Sequence, residues 1–331
     1  MAQATVLDNV RVQLSLRRPQ LVADVRSHGD IGLARYLDEA MRELVDIYRG
    51  GRSWTELRRE AGFSTPPAGP DEAALLRRVA ALAHVDDAER ADAYTRLADP
   101  DGPAYEELTE RDQRLARMLF FTLWPDRAGF PSYQAGLGHL RRHPAVCAEI
   151  RDLVALGLDR SRHVPASLGE RLQHVPLASH ARYRREEILA ALDWASLERK
   201  AYGHSGGVVW SEPMRTDALP VNLHKSEKDF SPSTMYRDDA ISSNLFRWES
   251  QNVTTTSSPT GRRYLSHREG GSHVVLFVRD APTDDLGAAP FLCLGQADYV
   301  DHRGERPIAI TWRLRRPMPA DTFAAASAVA Q

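Results

Sequence analysis

Apolar residues recur three and four positions apart over most of residues 5–200, the spacing that gathers them on one face of a helix. Val6, Val10, Val12, Leu14 and Leu16 begin the pattern, and Leu21 and Val25 continue it. After the break at SHGDIG, Leu33, Tyr36, Leu37, Met41, Leu44, Val45, Ile47 and Tyr48 resume it, and Gly50-Gly51 supplies a stop. Ser53 is placed to cap the next helix, with Trp54 and Leu57 inward and Gly62 at its end. The two short helices resemble a helix-turn-helix, a pattern that more often marks a packing unit than a groove reader. The stretch STPPAGPD (64–71) predicts a linker. Two helices are expected over 71–98, one over 110–124 closed by Pro125, and two over 132–158 around His143-Pro144. The segment LASHARYRREEILAALDWASLERK (177–200) is expected to finish the helical region, with Arg182, Arg184 and Arg185 at its start; these could meet phosphate, but a solvated helix face is the favoured expectation.

Beyond the glycine-rich joint GHSGG (203–207) the period changes from helical to alternating. Strands are expected at 208–211, 219–223, 272–278, 290–294, 297–300 and 308–314. In LFRW (245–248), Phe246 and Trp248 share one parity, so in a strand they face the same side. The pattern therefore predicts an α+β chain: a helical region over 1–200, with subdivisions 1–63 and 71–200, followed by a small β-domain over 202–320. The alanine-rich tail after Pro319 reads as frayed.

Composition narrows the function more than the fold. A net charge of −2 over 331 residues excludes a uniformly basic nucleic-acid binder but leaves room for a local cationic surface. The two cysteines, Cys147 and Cys293, lack CxxC spacing, which argues against a zinc site and fits a reducing, cytoplasmic setting. No apolar run is long enough to cross a membrane. The N-terminus lacks signal-peptide organisation and opens directly in a helical pattern, as expected of a segment of a longer protein. Phosphate-loop, dinucleotide, nucleophile-elbow and HExxH motifs are absent, so no catalytic residues are assigned. The acidic group Asp238, Asp239 and Glu249 is a weak nuclease-type metal candidate, and no metal site is assigned there.

Candidate chemistry concentrates between His224 and Arg268, where aromatics, cations and amides interleave. Aromatic faces stack on bases, cations meet phosphates, and amides read base edges. The candidate base pocket comprises Tyr236, Asp238, Asp239, Phe246, Trp248, Ser250, Gln251, Asn252 and Tyr264. The candidate phosphate contacts are Lys225, Lys228, Arg237, Arg247, Thr260, Arg262, Arg263 and Arg268. Aromatics in a small β-domain are more often core, and at least one of Phe246 and Trp248 is expected there.

The string KSEKDFSPSTMYRDDAIS…LFRWESQN…SPTGRRYLSH…VVLFVR…ITWRL, with the earlier YLDEAMRELVDIYRGGRSWTELRREAG, resembles domain-of-unknown-function family 3427. That family's region follows a superfamily 2 helicase core, often with a phospholipase-D-type nuclease, as in SauUSI-type modification-dependent (Type IV) restriction enzymes. The resemblance implies an SRA- or PUA-like β-barrel that reads 5-methylcytosine or 5-hydroxymethylcytosine in double-stranded DNA by flipping the base into an aromatic pocket. It implies helicase and nuclease domains of the same protein as partners, with ATP and magnesium belonging to those parts and no cofactor in this chain. A docking module for the helicase core without base specificity is the alternative expectation. The family pattern often carries an aromatic where Asp239 stands, so that wall is not expected here.

Overall fold

The computed structural model describes residues 17–201, 207–223 and 238–328. Its helices begin and end where short-range chemistry dictates. The Ser53 hydroxyl accepts the Glu56 N–H at 3.2 Å while the Glu56 carboxylate accepts the Ser53 N–H at 3.1 Å. This capping box starts the helix Trp54–Ala61 (α4), and Gly62, at φ 89°, closes it in the left-handed region. Before it lie α1 (Arg18–Ser27), α2 (Leu33–Glu39) and α3 (Leu44–Tyr48). After it come α5 (Glu72–Val79), α6 (Ala88–Leu97), α7 (Glu110–Leu123), α8 (Tyr133–Arg141) and α9 (Pro144–Asp159). Among them, α7 buries Leu115 and the run Met118–Phe121 in the core of the helical region. No helix among the described residues is long and apolar enough to cross a membrane.

Residues 177–200 depart from the helical expectation. They form β2 (Ala178–Ser179), which pairs with β1 (Ala166–Ser167), then β3 (Arg182–Tyr183), and only a short helix, α10 (Arg185–Ala191). The β3 strand joins the main sheet, placing Tyr183 opposite Phe291 and Arg182 opposite Leu292. The three arginines expected on a solvated face therefore sit where the helices meet the sheet, and Arg184 is buried. A backbone pairing more than a hundred positions away in the chain has overridden the local pattern.

The sheet continues through β4 (Val209–Ser211), β5 (Thr216–Asn222), β6 (Asp239–Ser242), β7 (Leu245–Glu249), β8 (His273–Arg279), β11 (Phe291–Arg303) and β12 (Ala309–Leu314). Its order is β4-β5-β8-β11-β12-β7-β6, with β3 also on β11. The β5–β8 pair is parallel and the other pairs are antiparallel. A small hairpin, β9 (Thr283–Asp284) with β10 (Gly287–Ala288), lies between β8 and β11. The two strands expected at 290–294 and 297–300 are one strand, β11, with an irregularity in its pairing to β8 between Cys293 and Gly295. The expected barrel is not formed: among the described residues no pairing joins β4 to β6, and the sheet stays open.

Alternation along β8 assigns the two faces. Val275 and Phe277 join the helical core, while Val274, Leu276 and Val278 join a second core on the opposite face. The helices and the sheet thus share apolar packing through Val275, Phe277, Phe291 and Cys293. The second core is covered by α11 (Pro259–Leu265) and α12 (Ala320–Ala328). The tail expected to fray is instead this last helix, with Ala326 buried.

Candidate nucleic-acid interface

The β6–β7 hairpin, the loop after it and α11 carry the described part of the predicted recognition stretch. Because β7 alternates, Phe246 and Trp248 both point into the second core, opposite Trp312 and Ile310 of β12. Tyr264, on α11, meets Trp248 edge-on at 5.4 Å and is buried in the same core. Burial, then Asp217, pushes the Tyr264 hydroxyl well above the usual tyrosine range. Three of the four predicted pocket aromatics therefore have no face open to a base. Tyr236, the fourth, lies outside the described residues, as do Lys225, Lys228 and Arg237.

The polar candidates divide between anchors and surface. Ser250 is buried and bridges β7 to β12: its N–H donates to the Ile308 carbonyl and its hydroxyl accepts the Ile308 N–H, each at 3.0 Å. Asp238 accepts the Glu249 N–H at 2.9 Å. Asp239 accepts two hydrogen bonds from Arg247, at 2.7 and 2.8 Å, and this pairing raises the guanidinium pKa. The acidic group considered for a metal is thus engaged by a cation and a backbone donor. Among the described residues, no group of three or more His, Cys, Asp or Glu is arranged to hold a metal ion.

Besides Arg247, two more of the predicted phosphate contacts are held by carboxylates, each distant in the sequence. Arg263 donates twice to Asp217, at 2.7 and 2.8 Å, and lies 4.0 Å over the Trp210 ring. Arg268 and Arg315 converge on Asp298 at 3.0 Å each, with Arg268 retaining a largely exposed side chain. Burial opposes ionisation of Asp298, yet those two arginines hold its carboxyl well below the usual range. Arg262 is exposed, and Thr260 is half-buried on the first turn of α11.

What remains at the surface is the loop between β7 and α11. Gln251, Asn252 and Val253 are exposed, Val253 to 83 %. The loop is nevertheless fixed. Thr254 N–H donates to the Gln251 carbonyl at 2.9 Å, and Thr256 is held by Glu305 through its N–H at 3.0 Å and its hydroxyl at 2.7 Å. At its far end the Ser258 hydroxyl caps α11, accepting Gly261 N–H at 3.1 Å and donating to the Thr255 carbonyl at 2.7 Å. Gly261 permits that approach, since a methyl group there would collide with the Thr255 carbonyl. The serine-rich run signals the cap in the sequence, whereas Glu305, 49 positions from Thr256, is visible only once the chain has folded.

Residues 177–326 match the family model described as Domain of unknown function (DUF3427), just under half of the chain. The match takes in the sheet from β3 onward and α10 through most of α12, while the earlier resembling segment at 36–62 lies outside it. No curated protein matches the chain.

Proposed function

We propose that this chain is the DNA-recognition part of a modification-dependent (Type IV) restriction system, and that the Gln251–Val253 loop is the element that reads the base. The observation that carries this reading is a loop pinned by Ser250, Glu305 and Ser258 that keeps the Gln251 amide and the Val253 side chain at the surface. Amides pair with base edges, and an apolar side chain makes contact with a methyl at pyrimidine C5. Arg262 and the exposed part of Arg268 stand near in sequence to take phosphates, which position a duplex without reading it. The methyl of 5-methylcytosine is the favoured mark, with 5-hydroxymethylcytosine next. Recognition then proceeds from the groove. A flipped-base version with an SRA- or PUA-like aromatic pocket rests on Tyr236, because Phe246, Trp248 and Tyr264 serve the core. Catalysis is assigned to helicase and nuclease domains of the full-length protein, as in SauUSI-type enzymes, and ATP and magnesium with them. The rival reading, a docking module for the helicase core, draws on β6, the last strand of the sheet among the described residues, where Ile241 is 49 % exposed.

Anisotropy titrations of the chain with matched duplexes, unmodified and carrying 5-methylcytosine, test the proposal. One methyl contact is worth about 0.8 kcal/mol, so a preference of about fourfold is expected. Val253→Ser should remove that preference, and Gln251→Ala with Asn252→Ala should weaken binding to both duplexes. Equal binding to both duplexes, unchanged by these substitutions, would overturn the proposal in favour of the docking module.

A further inference from the structure

A recess of about 410 Å³ lies where the helical region meets the end of β8 and the β9–β10 hairpin. Arg182, Arg184, Arg279 and His84 line one side, and Leu44, Ala83 and Leu286 contribute apolar surface. A neighbouring hollow of about 250 Å³ shares Arg182 and Arg279. None of these residues belongs to the loop assigned to DNA.

The cationic side is built rather than incidental. Glu187, fully buried, accepts from His84 Nε2 at 2.6 Å, from Arg90 at 3.0 Å, from the Tyr94 hydroxyl at 2.8 Å and from Arg184 N–H at 2.7 Å. Burial opposes its ionisation, but Arg90 and His84 outweigh it and hold the carboxyl down to about 2. Glu187 thereby fixes both His84 and the backbone of Arg184 at the wall. Arg279 is oriented by the Asn222 side chain at 2.6 Å, the Ala289 carbonyl at 2.9 Å and the Phe291 ring at 4.1 Å.

Two groups of this wall are left polar and unsatisfied. The Arg184 residue is 6 % exposed and its Nε has no hydrogen-bond partner; the His84 side chain is also 6 % exposed, and its Nδ1 has none. Both nitrogens are closed off from solvent, so they reflect how tightly the wall is packed and are not contacts offered to a ligand. Among the described residues no carboxylate forms an ion pair with Arg182, Arg184 or Arg279. Asp280 and Asp284 line the recess from exposed positions. Arg279 feels its neighbours: burial, followed by Arg185 and then Arg184, pushes the guanidinium down to about 10, against the opposing pull of Glu186.

We propose that this recess binds a phosphoryl anion, free or carried on a small ester, with Arg182, Arg184 and Arg279 around its oxygens. Guanidinium forks match phosphate oxygens, and the apolar wall suits the remainder of an ester. A buried arginine favours a small anion, because a phosphate in a duplex is kept at the surface by its neighbours along the strand.

Calorimetric titration and thermal unfolding of the full chain, with inorganic phosphate and ADP as probes, test the proposal. Saturable binding and a rise in Tm beyond that given by sodium chloride at matched ionic strength are expected. ADP binding more tightly than phosphate identifies an ester site, and equal binding identifies the anion itself. Arg184→Gln and Arg182→Ala should each weaken binding about tenfold or more, with the circular dichroism spectrum kept. If Arg184→Gln does not fold, Arg182→Ala, on a half-buried side chain, decides. Absence of saturable binding, or affinity unchanged in Arg182→Ala, would overturn the proposal. Displacement of ADP by a short DNA duplex would also overturn it, by making the recess part of the DNA surface, and would leave the loop proposal standing.

Discussion

Replacing Trp248 with alanine separates a core tryptophan from a base-stacking one. In the fold Trp248 is 4 % exposed, meets Tyr264 edge-on at 5.4 Å and lies opposite Ile310 in the β7–β12 register. A tryptophan buries roughly 150–250 Å², which at about 25 cal/mol per Å² is worth about 4–6 kcal/mol. A compact unfolded chain reduces that by roughly 10–40 %, and the lost ring pair adds back about 0.5–1.5 kcal/mol. The expected loss is therefore about 3–5 kcal/mol, in line with the usual effect of emptying an aromatic core position. Against a typical domain stability of about 5–15 kcal/mol, the urea midpoint should fall by a large fraction. Val253→Ser, at the surface, should stay within about 0.5 kcal/mol of the parent under the same conditions. Urea unfolding followed by far-ultraviolet circular dichroism measures both variants. A Trp248→Ala protein that unfolds at the parental urea concentration but no longer distinguishes methylated DNA would refute the core assignment and restore the stacking role.

Three further outcomes follow from the same geometry. Arg263→Met leaves the fully buried Asp217 without its cation and should cost about 3–5 kcal/mol, with Asp217→Asn in the same background recovering part of the loss in urea melts. Gly261→Ala forces the start of α11 away from the Thr255 carbonyl and should weaken duplex binding more than it lowers Tm; unchanged binding would show that the loop's position does not matter. His267, stacked on Trp312 at 5.7 Å, accepts the Tyr299 N–H through Nε2, and burial pushes its pKa down to about 4 from 6.5. Because the folded value is the lower one, its stabilisation is fully present above pH 6.5 and is lost as pH falls towards 4. His267→Gln should flatten the decline of the urea midpoint between pH 7 and 5, and an unaltered slope would exclude the histidine as its source.

Much of the local structure is legible in the sequence. The helical spacing, the Ser53 cap and the Gly62 stop match α4 at both ends, and the apolar, β-branched segments SHVVLFV and ITWRL correspond to β8 and β12. The shared parity of Phe246 and Trp248 placed them together, but it could not say that both face the core rather than a ligand. Residues 177–200 misled because a good helical pattern contains a two-residue strand whose partner lies far along the chain. The arginines misled for a similar reason: a cation reads as available until its carboxylate is located.

The sequence by itself determined the order and kind of most elements, the caps, and the polar surface loop after β7. Those depend on backbone periods of 3.6 and 2 and on contacts within about four residues. Only the tertiary structure decided that the sheet stays open among the described residues, that Phe246, Trp248 and Tyr264 are core, and that Asp217, Asp298 and Glu305 hold Arg263, Arg268 and Thr256. It alone gathered His84, Arg184 and Arg279 around one recess, with Glu187 reaching 103 positions back to His84. Burial and charge pairing depend on which distant segments come to share a face, and that information is absent from the spacing of any one segment.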